Sequence, residues 1–363
     1  MPKVDDLNST TSSMLTSIQN RFHCVTDGSI RDSIEHAWMV WNIVDFHRWW
    51  NAFESEAGVP LGRKLMHAAT DQEEYSFHHS PPIQFGWFMK NKRFVKSISE
   101  RWLQLGWGEY KFDSQHVFSH LPAPICSGFA LAAVEQMLTS RQKLQWRQIT
   151  NVQIHLDLEN DSRSISKSPP PPTFHWDSDF TDAPFMTGIP VQLDFQSVIH
   201  GWTHSGERTC FLPSGLFQRL FEYVNMQGLV LRPEILDAWE FPDHFQQSSW
   251  IPMILTSLAV EQVISKSELP IYIQDIESWD QLNEAYLRPF GFGTFIRSTL
   301  LDEQGGIEFE LHPSPILPFT CAYLIAFWQR GIGKKAKVKV EQKDGNWILK
   351  LTSLLSYSLE SDS

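Results

Sequence analysis

The sequence is poor in the features that announce a chemistry. It has no run of lysine and arginine: 30 basic residues stand against 42 acidic ones, a formal net charge of -12. A surface for nucleic acid draws its affinity from positive charge that neutralises phosphate. The nearest basic group, Lys334, Lys335, Lys337 and Lys339, alternates with Ala336, Val338 and Val340, the pattern of a strand with one solvent face. Nucleic acid and anionic membrane are thus excluded as expected partners. Only four cysteines occur, Cys24, Cys126, Cys210 and Cys321, with no C-x-x-C pair and no zinc-finger spacing. The best apolar windows, Ile125–Val134 and Ile251–Val260, are too short for a membrane span. The N-terminus is polar and acidic, unlike a secretory leader. Together these absences predict a reduced, cytoplasmic protein with buried thiols.

Catalytic signatures are missing as well. There is no G-x-S-x-G and no H-E-x-x-H. Gly106-Trp107-Gly108 and Gly291-Phe292-Gly293 lack the third glycine of a dinucleotide loop, and Gly331-Ile332-Gly333-Lys334-Lys335 lacks P-loop spacing. Cys126, among Ile125, Phe129 and Ala130, reads as a structural thiol.

Aromatic side chains are abundant, with 15 Trp and 25 Phe. Large rings bury much area, so they imply either ring-built cores or an aromatic-lined cavity. For the second reading the candidate pocket walls are Trp38, Trp41, Trp107, Phe129, Phe292 and Trp328.

The most informative pattern is an echo. Gly106–Leu138 reads as Gly-aromatic-Gly, a strand pair, Pro122-Ala123-Pro124 and an apolar helix. Gly291–Gln329 repeats this with Pro313-Ser314-Pro315. By subtraction of residue numbers, Gly28 and Gly215 lie 187 positions apart, Gly106 and Gly291 185, and Pro122 and Pro313 191. This predicts an α+β protein of two tandem related domains from internal duplication, each with helices packed on a small antiparallel sheet. The expected boundaries are a disordered tail at 1–20, a first repeat at 21–158 and a Ser/Pro-rich linker at 159–173. An unrepeated connecting segment follows at 174–207, then a second repeat at 208–355 and a tail at 356–363.

Within that frame Ile34, Trp38, Trp41 and Val44 predict one face of a long helix over Ser29–Phe53. Trp49 and Trp50 lie off its stripe and would widen the face or mark an interface. Helices are also predicted near Leu61–Glu74, Lys90–Leu105, Gly215–Val224 and Trp279–Leu287. Hairpins are expected around Glu109–Ser119, Thr294–Leu311 and Ala336–Leu351.

For metals, His175-Trp176-Asp177-Ser178-Asp179 is the densest patch. In an extended segment its His and two Asp would share a face and could ligate a hard or borderline divalent cation. No cofactor is otherwise indicated.

The two echoed stretches resemble the 4-vinyl reductase domain family, small-molecule-binding domains also called hydrocarbon-binding. The resemblance covers about a fifth of the chain, in two pieces. It implies helices against an antiparallel sheet, and an apolar ligand or a protein–protein role. Family members often carry a zinc-binding cysteine cluster late in the domain. None follows Cys126 or Cys321, so such a site is not implied.

Three function classes follow. The first is a non-catalytic protein that binds an apolar small molecule or regulates through one. The second is a metal-assisted hydrolase using His175, Asp177 and Asp179. The third is a scaffold in a protein complex or homo-oligomer.

Overall fold

The structure, a computed structural model, describes residues 4–80, 90–165, 167–177 and 189–354. Its centre is the strand β3 (Ala37–Asn42), AWMVWN. A strand covered on both faces needs no polar alternation, so it reads as a continuous apolar run. That is why the predicted helix over Ser29–Phe53 is wrong in its first half. The chain there forms β1 (His23–Cys24), β2 (Ile30–Arg31) and β3. Helix α2 (Ile43–Ala57) starts only at Ile43, and Val44, placed on the apolar stripe, is half exposed.

Asn42 stops the strand and starts the helix. Its Oδ1 accepts from Val44 N at 2.8 Å and Asp45 N at 3.4 Å. Asn42→Ala is expected to cost about 1 kcal/mol through these orphaned amides, with Asn42→Asp close to neutral. Urea denaturation of the three proteins checks this.

The elements that follow are helices α3 (Gly62–His79) and α4 (Lys90–Leu105), strands β4 (Glu109–Lys111) and β5 (His116–Phe118), helix α5 (Ala123–Leu138), and strands β6 (Gln142–Thr150) and β7 (Gln153–Asn160). The second half runs through β9 (Phe195–Val198), β10 (Gly201–His204) and β11 (Glu207–Pro213) into α6 (Ser214–Met226), then α7 (Pro233–Leu236), β12 (Trp239–Glu240) and α8 (Ile251–Lys266). It continues through α9 (Glu277–Leu282), a π turn and a 3-10 turn to β13 (Phe295–Leu300), β14 (Ile307–Leu311), α10 (Leu317–Ile332), β15 (Ala336–Lys343) and β16 (Asn346–Ser353). The protein is therefore α+β, with antiparallel sheets covered by helices.

The same order of elements occurs twice. The outer sheets run β4-β5-β7-β6 and β13-β14-β16-β15, the second extended by β12. The central sheet runs β8-β1-β2-β3-β11-β10-β9, where β8 is Ile189–Pro190. Strands β3 and β11 are its antiparallel middle pair, with Val40 opposite Phe211. Strands β2, β1 and β8 flank it on one side, β10 and β9 on the other. Strands β10 and β9 occupy the places of β2 and β1, so part of the expected unrepeated segment belongs to this pattern. Gly28 and Gly215 are not counterparts. Gly28 lies in the turn before β2, whereas Gly215 lies in α6.

The halves interlock. Gly106 (φ 74°) and Gly291 (φ 73°) are both left-handed residues at a helix end. Behind them Trp107 N bonds Trp102 O at 2.9 Å, and Phe292 N bonds Leu287 O at 3.1 Å. Each is a Schellman closure. A Cβ on Gly106 would meet Thr209 O at 2.4 Å in β11, and one on Gly291 would meet Trp38 O at 2.4 Å in β3. Each glycine thus lies against the central strand of the other half. The aromatic between the glycines then packs inward: Trp107 Nε1 donates to Phe211 O at 2.7 Å. One continuous core, including Trp49 and Trp50, joins the halves. Those two tryptophans are buried and mark no interface.

The first 20 residues, expected as a disordered tail, lie mostly in helix α1 (Val4–Arg21), which buries Ile18 against the core. Residues 356–363 lie outside the described residues. The lysines of β15 are paired rather than clustered: Lys335 with Glu261, Lys337 with Glu240 and Lys339 with Glu341. No helix among the described residues is long and apolar enough to cross a membrane.

Candidate functional site

The six aromatic residues predicted to wall a pocket are all buried. Trp107 stacks on Phe129 with centroids 3.8 Å apart, and Trp41 meets Phe292 edge-on at 4.9 Å. Trp38 donates from Nε1 to Asp32 Oδ2 at 2.9 Å, and Trp328 donates to Gly305 O at 2.6 Å. They build core, and none of them lines the cavities described below.

The predicted metal row is not extended. Asp177 N bonds Phe174 O at 2.9 Å, which closes a turn and sends the side chains apart. His175 enters an aromatic nest of Trp176, Phe245, Trp250 and Trp347. Burial there holds its imidazole down to about 4, so it is neutral at physiological pH. Asp177 turns instead toward Gln218. Asp179 lies outside the described residues. Among the described residues no group of three His, Cys, Asp or Glu side chains could hold a metal ion. The thiols offer no nucleophile either, because burial pushes Cys126 and Cys321 up to about 12.

A different region gathers polar groups. Helix α3 buries Thr70, Gln72, Glu73, Glu74 and Ser76, and buried polar groups require partners. Arg101 grips Glu73 with two bonds of 2.7 Å. Arg141 bonds both Glu74 and Glu135. Burial pushes the Glu74 carboxyl up to about 7, with Arg141 pulling the other way and Glu135 adding to the rise.

The stretch expected to be a linker supplies further partners. It crosses α3 as a strap: Ser168 Oγ donates to Asp71 O at 2.9 Å, and Pro169 O accepts from Arg219 Nη2 at 2.6 Å. Arg219 Nε in turn donates to Gln72 Oε1 at 3.3 Å. Proline-rich sequence cannot build a core, but it can lie along one, since its backbone has few donors to satisfy.

Two cavities open beneath the strap. One, of about 320 Å³, lies among His67, Asp71, Glu135, Arg141 and Arg163. Its charges are largely committed to the Arg141 cluster and to the Arg163–Asp161 pair. The other, of about 290 Å³, lies where four segments converge. The turn from β2 to β3 brings Arg31, Glu35 and His36; α3 brings Gln72 and Tyr75. The strap brings Asp177, and the start of α6 brings Ser214 and Gln218.

The geometry of this second cavity follows from local sequence. Pro213 ends β11 and begins α6 without a capping side chain, where the topologically equivalent α2 is closed by Asn42. Asp32 folds the β2–β3 turn by accepting from Ile34 N at 3.1 Å and His36 N at 3.0 Å. The His36 ring lies 5.3 Å from Tyr75, and burial lowers its basicity. Asp177 Oδ2 accepts from Phe174 N at 2.9 Å and Gln218 Nε2 at 3.0 Å. Its Oδ1 is buried without a partner. Burial pushes this carboxyl up to about 6, against the two hydrogen bonds.

Sequence reasoning singled out Asp177 but none of its neighbours here. The available signal was the polar run Thr70-Asp71-Gln72-Glu73-Glu74 beside apolar positions, which reads as a solvent face until the strap covers it. Comparison with known proteins adds no relative: no family model, no curated protein and no solved structure matches the chain.

Proposed function

We propose that the chain is a non-catalytic small-molecule-binding protein whose ligand occupies the cavity between the β2–β3 turn, α3, the strap and α6. The observation that carries this reading is the convergence of four distant segments, which bring charged and polar side chains to one cavity beside an otherwise ring-filled core. Its volume lies near the lower end of ligand sites, where a few placed polar groups fix orientation. The ligand is polar, because the aromatic side chains that would receive an apolar one are packed against each other. The resemblance to the 4-vinyl reductase domain family agrees with a binding role, and duplication of one binding domain accounts for the repeated order of elements. A hydrolase reading lacks a nucleophile and a converged metal set among the described residues. A scaffold reading loses its marker, since Trp49 and Trp50 are buried.

The test is a thermal-shift screen of small amines, carboxylates, sugars and nucleosides. It compares the native chain with Thr173→Phe, a strap substitution that fills the cavity. A compound that raises the melting temperature of the native chain but not of the variant supports the site. Compounds that stabilise both equally bind elsewhere, and a panel without any hit removes the reading.

A further inference from the structure

We propose that this cavity selects a small organic cation, an ammonium group on a short frame, with Asp177 and Glu35 as its counter-charges. The proposal rests on the binding reading above and adds the class of ligand.

The charge accounting around the cavity supports it. Arg31 faces the cavity but is engaged: Nη2 pairs with Asp27 Oδ2 at 3.0 Å, Nε donates to Ser29 Oγ at 3.1 Å, and Nη1 donates to Glu35 O at 3.2 Å. Arg219 lies behind the Tyr75 ring and outside the lining, where it donates to the neutral oxygens of Gln72 and Pro169 and keeps its charge. His36 is held toward its neutral form by burial. Gln218 already donates to Asp177.

Of the charged groups that line the cavity, the two without a counter-charge are carboxylates. Asp177 Oδ1 is buried with no hydrogen-bond partner, and Glu35, which is exposed, makes no ion pair among the described residues. A buried carboxylate without a counter-charge is costly, and a cation that enters beside it removes the cost.

The wall reinforces the preference. Pro171, Pro213 and Pro315 line the cavity, and proline has no amide donor to offer an anion. The opposing feature is the start of α6, whose first amides favour an anion. Asp177, bonded to Gln218 in that helix, already holds a carboxylate near this position. The net charge of -12 also raises the local concentration of cations.

The experiment uses three probes of matched shape, n-butylamine, n-butanol and butyrate, titrated into the full chain with ligand-observed NMR. The amine is expected to bind at least tenfold more tightly than the alcohol, with butyrate weakest. Asp177→Asn is expected to cut amine affinity tenfold or more.

Acidity separates the alternatives. Asp177, with Arg31, Glu35, His36, Tyr75 and the start of α6 around it, gains a proton as pH falls through about 6. Amine affinity therefore falls between pH 7.5 and 5. Binding of an anion at the start of α6 would strengthen over the same range. Equal binding of amine and alcohol, preference for butyrate, or tighter amine binding on acidification overturns the proposal. If the asparagine variant does not fold, the pH profile of the native chain decides. If screened compounds of other classes bind the cavity while amines do not, the ligand class fails and the binding reading stands. If nothing binds, both fail.

Discussion

Gly106→Ala is expected to destabilise the protein by about 3–5 kcal/mol. Two costs combine. At φ 74° an L-residue pays about 1–2 kcal/mol for left-handed backbone. The added Cβ would also lie 2.4 Å from Thr209 O and 2.9 Å from Cys210 Cα, atoms of a central strand that cannot move aside. Gly58 provides the control. It has nearly the same φ, 67°, at the end of α2, but nothing lies within 4 Å of its added Cβ. Gly58→Ala should therefore show the backbone cost alone, about 1 kcal/mol. The difference between the two variants measures the contact of α4 with the other half. Because the halves share one sheet and one core, the loss should appear as a shift of a single urea transition rather than as a separate early phase. If Gly106→Ala is no worse than Gly58→Ala, the interlocked arrangement is wrong.

That contact also shows what was legible in the sequence. The Gly-aromatic-Gly pairs were visible because helix ends impose a local rule: a left-handed residue is needed, and glycine supplies it cheaply. Helix α4 and the hairpin β15–β16 were legible for the same reason, since period 3.6 and period 2 are local properties. Strand β3 was not. Trp38 and Trp41 stand at helical spacing by coincidence, and a strand buried on both faces carries no alternation to contradict it. The expected linker at 159–173 was misread for a different reason. Its composition says correctly that it cannot form a core, but composition is silent on whether such a segment lies across another element. The site was least legible of all. Arg31, Gln72, Asp177 and Gln218 are far apart in the chain; Asp177 stood out only as part of a metal row, and the other three look like ordinary surface residues. Only β3 pairing with β11, which sets the β2–β3 turn beside the start of α6, brings them together.

Helix α3 also provides the second large effect, because its buried charges have different prices from exposed ones. Arg101→Met is expected to cost about 3–5 kcal/mol, the range for stranding one partner of a buried ion pair. Glu73 is 1% exposed and holds Arg101 through two bonds of 2.7 Å. Methionine keeps the apolar stem near the Trp107 ring, 5.3 Å from the guanidinium carbon in the native chain, so the loss reports the charge rather than the packing. Arg21 offsets part of it. Burial, then repulsion from Arg101, lowers Arg21 to about 10, while Glu73 acts in the opposite sense. Removing Arg101 relieves that repulsion and leaves Arg21 as the nearest counter-charge. The double variant Arg101→Met with Glu73→Leu should recover most of the lost stability, since an apolar pair of similar volume replaces a buried ion pair at little cost. Arg147→Met is the exposed comparison: Arg147 and Asp157 are 65% and 45% exposed, and losing a solvent-screened pair should leave the urea midpoint nearly unchanged. Urea midpoints for these variants decide the matter. A double variant no more stable than the single one would show that Arg101 acts through packing and that Glu73 does not depend on it.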